Sequence, residues 1–131
     1  MKDIEEQERI IKRVIDCAYA VRTQLQQGYE EKIYRNAMCL EMQKRGVEFK
    51  IEVPYNVYYD DQVVGQYRID LLIEDSIIVE LKANQNISPA NEVQLVNYLT
   101  GLRLDYGLLI NFGAEKLQIK RKFRTYKPSI Q

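Results

Sequence analysis

Residues 69–73 read Ile-Asp-Leu-Leu-Ile and residues 77–82 read Ile-Ile-Val-Glu-Leu-Lys, two strand-length runs that are apolar at successive rather than alternate positions. Side chains alternate across a strand, so Ile69, Leu71 and Ile73 are expected to oppose Leu72, and Ile77, Val79 and Leu81 to oppose Ile78. Strands apolar on both faces lie inside a sheet covered by helices on both sides. The expected fold class is therefore α/β, with a central sheet flanked by helices.

The flanking periodicities supply those helices. Residues 4–26 carry Ile4, Ile11, Val14, Ile15, Ala18, Val21 and Leu25 at three- and four-residue spacings, the stripe of an amphipathic helix ended near Gly28. A second helix is expected over about 30–45, with Ile33, Ala37 and Leu40 as its stripe, Met38 and Met42 on its flank and Gly46 at its end. Strands are expected at about 48–59, 62–73 and 77–83, joined as an antiparallel meander by turns at Asp60-Asp61 and Glu74-Asp75-Ser76. Ser88 and Pro89 open a third helix over about 89–101, as a capping hydroxyl followed by a residue that needs no N–H partner. Two strands, 106–112 and 117–122, complete an ααβββαββ order. At 131 residues the length suits one domain, 1–131.

Into the doubly covered strands the sequence places Asp70, Glu80 and Lys82. Isolated charges there would each cost several kcal/mol unless paired, wet or holding a metal. Glu80 and Lys82 share a strand face, and Asp70 joins them only if the connecting loop has odd length. Pairing Ile73 with Ile77 across the three residues 74–76 puts Asp70 opposite Glu80. Two carboxylates beside a lysine suit Mg²⁺ or Mn²⁺, which take oxygen ligands and can activate water and polarise a phosphoryl group. The competing reading of the same residues is a buried Asp70–Lys82 or Glu80–Lys82 salt bridge.

Composition narrows the chemistry. Histidine is absent, which removes Ser-His-Asp and Cys-His triads, HNH-type nuclease sites and His-ligated zinc enzymes. Cys17 and Cys39 are too few for a four-ligand zinc site, and their helical settings suit reduced, buried thiols. The charged N-terminus is unlike a secretory leader, and no stretch is apolar enough to span a bilayer, which points to a cytoplasmic protein without a membrane partner. The 19 basic and 19 acidic side chains cancel. Lys116, Lys120, Arg121, Lys122, Arg124 and Lys127 nevertheless follow the last acid, Glu115, and form a locally basic end that serves either as a solvated edge or as a phosphate contact. Tyr55, Tyr58, Tyr59 and Tyr67 on the first two strands suit either half-buried packing or stacking on unpaired bases.

Asp70 followed by Glu80-Leu81-Lys82 resembles the signature of the PD-(D/E)XK nuclease superfamily. Gly28-Tyr29-Glu30-Glu31-Lys32-Ile33-Tyr34 resembles that of its GxxExxY protein family, with further similarity at Asn111-Phe112-Gly113 and Lys120-Arg121. The resemblance implies a restriction-endonuclease-like αβββαβ core with a mixed sheet. It implies metal ligation by Asp70, Glu80 and the Leu81 carbonyl, a catalytic Lys82 and an accessory acid at Glu31. Ile69 stands where the superfamily's name has proline, a position that supplies no ligand. Gln94 and Tyr98 resemble the Q-x-x-x-Y of RecB-like nucleases. Four residues apart, they share one helix face, where they either position substrate or form an ordinary polar edge. Glu31 is otherwise an acid favoured by a helix N-terminus.

The function expected on these grounds is Mg²⁺- or Mn²⁺-dependent hydrolysis of phosphodiesters in DNA, with RNA as second choice. The alternative is a non-cleaving nucleic-acid-binding or assembly module on a nuclease fold. So small a domain could also pair with a second copy to span a duplex.

Overall fold

The computed structural model describes residues 2–124. In chain order its elements are α1 (Ile4–Gln24), α2 (Glu31–Lys44), β1 (Phe49–Tyr59), β2 (Gln62–Ile73), β3 (Ile77–Lys82), α3 (Pro89–Leu102), β4 (Tyr106–Asn111) and β5 (Gln118–Phe123). The five strands form one sheet in the order β1-β2-β3-β4-β5. All neighbours are antiparallel except β3 and β4, which run parallel and are joined through α3. This is a mixed α/β sheet of restriction-endonuclease-like type. Lys127, the last member of the basic run, lies outside the described residues.

Local chemistry accounts for the helix starts. Asp3 caps α1 by accepting from the Glu6 N–H at 2.8 Å, and Glu6 returns the bond to Asp3. Ser88 does the same for α3 with Asn91, and Pro89 takes the first turn. Asp60 and Asp61, both at positive φ, form the tight β1–β2 turn, the geometry that matches strand twist.

The sheet separates two apolar cores. On one face, Ile11, Val14, Cys17, Ala18 and Val21 of α1 and Tyr34, Met38 and Met42 of α2 pack against Leu71, Ile73, Ile77, Val79, Leu81, Leu108, Ile110 and Phe112. On the other, Leu95, Tyr98 and Leu99 of α3 cover Ile69, Ile78 and Leu109.

Two expectations fail here. The α2 stripe is Tyr34, Met38, Glu41 and Met42, whereas Ile33 and Leu40 are exposed. Tyr34 and the two methionines bury more surface than the aliphatic residues that suggested the neighbouring face, of which Ala37 alone packs against the core, and Glu41 is tied to Lys44 and Arg45. Ile69 does not share a face with Leu71 and Ile73; it belongs to the α3 core. The same change of face occurs on β1, where Phe49 packs on the α1/α2 side and Val53 on the α3 side. Between the pairs Ile51↔Leu71 and Val53↔Ile69 stand Glu52 and Asp70, and Glu52 holds φ +50°. The alternation breaks in both strands at one level, and that level is where Asp70 sits.

Candidate metal and phosphodiester site

The three residues 74–76 connect β2 to β3 with Ile73 paired to Ile77, the odd-length loop that the strand parity required. The backbone ladder between these strands runs through Leu71↔Val79 and stops. At the next step, carboxylates replace carbonyls. The Asp70 N–H donates to Glu80 Oε2 at 2.9 Å, and the Leu81 N–H donates to Asp70 Oδ2 at 2.8 Å. Each acid thus satisfies a backbone donor that the broken ladder leaves open. Because a strand residue sends its N–H and C=O to the same side, the Leu81 carbonyl also faces β2.

These acids are held against electrostatic cost. Burial pushes the Glu80 carboxyl up to about 8, the nearby Asp70 charge pushes the same way, and the Asp70 N–H and Lys82 oppose the rise. Burial also raises Asp70, against the Leu81 N–H and Lys82. Two oxygen donors pressed together in a site that disfavours their charge fit a divalent cation, which would neutralise both.

Lys82, the last residue of β3, is half-buried and acts electrostatically on both acids. It takes part in none of the ion pairs within 4.0 Å among the described residues. The buried salt bridge that competed for these residues is therefore not formed.

Glu31 is the first residue of α2, exposed, and its charge reaches Glu80. It lines a cleft of about 300 Å³ with Asp70 and Leu81. Among the described residues no three of His, Cys, Asp or Glu stand close enough to form a metal cluster, so Glu31 lies beside the acid pair rather than within it. Its placement depends on Tyr34, one turn further along. The Tyr34 ring stacks on Phe112 at 4.6 Å, its hydroxyl donates to the Gln26 carbonyl at 2.5 Å and accepts from the Tyr29 N–H at 3.3 Å. Gly28, at φ +111°, lets the chain turn between those contacts. Asn111, fully buried, ties β4 to the segment after β3: its amide accepts from the Asn84 and Gly113 N–H groups and donates to the Asn84 carbonyl and Gln118.

From the opposite face, α3 brings Tyr98 to the acids. Burial raises its phenol well above the ordinary range, with the charges of Glu80 and Asp70 adding to the rise, so it remains a hydrogen-bond donor. Its ring lies 5.1 Å from Tyr55 and 6.0 Å from Tyr67. Tyr55 is a packing residue: its hydroxyl donates to the Asn97 carbonyl, and a Cβ on Gly101 would collide with its ring. Tyr58 and Tyr59 are exposed near the hairpin tip. Gln94 is half-buried one turn before Tyr98 and is not a partner in the two hydrogen bonds of the acid pair.

Two neighbours of the site carry no motif. Arg35, four residues after Glu31, forms a 2.9 Å ion pair with Glu52, and both line the cleft. The i, i+4 spacing of Glu31 and Arg35 is readable in the sequence. The position of Glu52 across from Asp70 is not. The basic run, in contrast, is largely spent on acids: Lys120 and Lys122 pair with Glu92, Arg121 with Glu8 and Arg124 with Asp105.

A mixed sheet broken at two adjacent acids, with a lysine two residues beyond the second, defines a nuclease-like α/β protein. The model of the PD-(D/E)XK nuclease superfamily matches residues 8–122, and the chain belongs to that superfamily. Nucleases of this superfamily generally use divalent metals. No curated protein matches the chain. Among solved structures, the crystal structure of SSO0001 is similar, with a TM-score of 0.53 and 16% identity over 75% of this chain, and it supports the fold alone. The chain spans about half, 52%, of that protein's length. Among the described residues, no helix is long and apolar enough to cross a membrane.

Proposed function

We propose that the chain is a single-domain, metal-dependent nuclease of the GxxExxY family that hydrolyses phosphodiester bonds of DNA, with RNA as the second substrate. The observation that carries this reading is the reciprocal bonding of Asp70 and Glu80, which sets a half-buried and a buried carboxylate side by side near Lys82. The placement of Gly28, Glu31 and Tyr34 at the entry to α2 supports the family assignment.

Asp70, Glu80 and the Leu81 carbonyl would hold Mg²⁺ or Mn²⁺. When bound, such an ion supplies Lewis acidity to the phosphoryl group and to the attacking water. Lys82 orients that water and offsets charge that develops on the phosphorus oxygens. Glu31 acts as an accessory acid from the rim of the cleft. The Tyr98 phenol, kept protonated by its surroundings, donates a positioning hydrogen bond, and Gln94 adds an amide on the same helix face. Nucleic acid is the partner in this reading, and pairing of two copies is not required by it. Two unbridged cysteines suit a reducing, cytoplasmic setting.

The test is cleavage of labelled single- and double-stranded DNA with Mg²⁺, Mn²⁺ or EDTA. Cleavage that needs the metal and is lost in Lys82→Ala, with the unfolding transition retained, is expected. Undiminished cleavage by Lys82→Ala would overturn the assignment, and nucleic-acid binding without cleavage by the wild type would favour a binding module.

A further inference from the structure

The cleft that opens onto Asp70 holds three acids and two cations: Glu31, Glu52 and Asp70 against Lys32 and Arg35. With a divalent ion on the acid pair, a strand phosphate that enters the cleft still needs a cationic hydrogen-bond donor, and the cations lining it are Lys32 and Arg35. The C-terminal cations Lys120, Arg121, Lys122 and Arg124 pair with acids elsewhere, and none of them lines this cleft.

Arg35 has the means to be freed. Its Nη1 donates to Glu52 at 2.9 Å, while its Nε is buried with no acceptor. The guanidinium therefore spends only part of its donor fork on Glu52. Glu52 is about half exposed, at 48%, and an ion pair with so solvated a partner is weak and easily exchanged. A phosphate offers what a single carboxylate oxygen does not, two acceptors matched to two parallel N–H donors.

We propose that Arg35 binds a phosphate of the substrate strand beside the acid pair, and that Glu52 is its resting partner, given up when the strand enters. The proposal rests on the nucleic-acid reading above and adds to it the residue that receives the strand. It places the phosphate contact on α2, four residues after Glu31, so the accessory acid and the phosphate-binding arginine project along one helix face.

The two partners of the ion pair separate this role from a structural one. If the pair only tied α2 to β1, Arg35→Met and Glu52→Gln would change binding in the same direction. If Glu52 competes with phosphate for Arg35, they change it in opposite directions. The measurement is fluorescence anisotropy of a short phosphorothioate-linked DNA strand in Mn²⁺, across a salt series, with thermal unfolding of each variant as a control. Arg35→Met is expected to weaken binding roughly tenfold and to lower the salt slope by about one, Arg35→Lys to lose less, and Glu52→Gln to tighten binding. Equal binding by the wild type and Arg35→Met, or weaker binding by Glu52→Gln, would overturn the proposal, as would no DNA binding by the wild type. Arg35-dependent binding without cleavage of an ordinary DNA strand would leave this contact standing and remove the nuclease reading. Cleavage with no dependence of binding on Arg35 would do the reverse.

Discussion

Asp70 and Glu80 complete each other's strands: the backbone N–H of Asp70 ends on the Glu80 carboxylate, and the Asp70 carboxylate receives the N–H of the residue after Glu80. Neither acid can be removed without orphaning a backbone donor on the neighbouring strand, so the site and the sheet break are one structure.

The pH dependence follows from Glu80. Its carboxyl, near 4.5 in an unfolded chain, rises to about 8 in the folded one, chiefly through burial and then through Asp70. Between those values the native state holds more protons than the unfolded state, so stability falls as pH rises. Without metal, chemical denaturation should show the protein less stable at about pH 8 than at about pH 5.5 by on the order of 1–3 kcal/mol. Added Mg²⁺ should recover more stability at the higher pH, because proton and cation compete for the same oxygens. A metal-free stability that climbs across this range would contradict the electrostatics of the pair.

Glu80→Gln keeps an oxygen that can accept the Asp70 N–H and removes one of the two like charges. At pH 8 it should raise the unfolding temperature of the metal-free protein and abolish stabilisation by Mn²⁺. Calorimetric scans with and without Mn²⁺ check both effects, and retained stabilisation by the metal would count against ligation by Glu80.

Tyr34 is expected to be costly to truncate. Loss of its stacking on Phe112 and of its bonds to Gln26 and Tyr29 in Tyr34→Ala should destabilise by about 3–5 kcal/mol. Tyr34→Phe should lose about 1–2 kcal/mol, the value of the hydroxyl alone. Urea titrations read both, and equal losses would mean that the hydroxyl, not the ring, secures the start of α2.

Leu40 and Met38 test which face of α2 is buried. Leu40→Ser should change stability by no more than about 0.5 kcal/mol, because Leu40 is 63% exposed. Met38→Ala should cost about 2–5 kcal/mol. The reverse ranking would restore the stripe that the aliphatic residues alone suggest.

The contrast at α2 shows where the sequence is readable and where it is not. Strand runs apolar on both faces, the cap at Ser88 and the three-residue loop 74–76 carry local signals, and each element lies within a few residues of its expected place. Ile33 and Leu40 mislead because periodicity ranks faces by residue type, whereas Tyr34, Met38 and Met42 win by the volume they fill under Phe112 and the sheet. The break at Glu52 and Asp70 is hidden for another reason. Counting back from the two-residue turn Asp60-Asp61, which pairs Tyr59 with Gln62, sets Glu52 against Ile69. An irregularity at Val57/Tyr58 shifts the register by one and brings Glu52 to Asp70 instead. That shift leaves no mark in composition. The partnership of Arg35 with Glu52 is invisible with it, whereas Asp70, Glu80 and Lys82 stand out because charges in doubly covered strands need a reason.

The most direct measurement is a crystal soaked in Mn²⁺ and recorded for anomalous scattering. One ion is predicted at about 2.0–2.3 Å from carboxylate oxygens of both Asp70 and Glu80, with the Leu81 carbonyl as a further ligand and Lys82 close by. Manganese found only elsewhere on the molecule, or the Lys82 ammonium seated between the two carboxylates, would contradict the account.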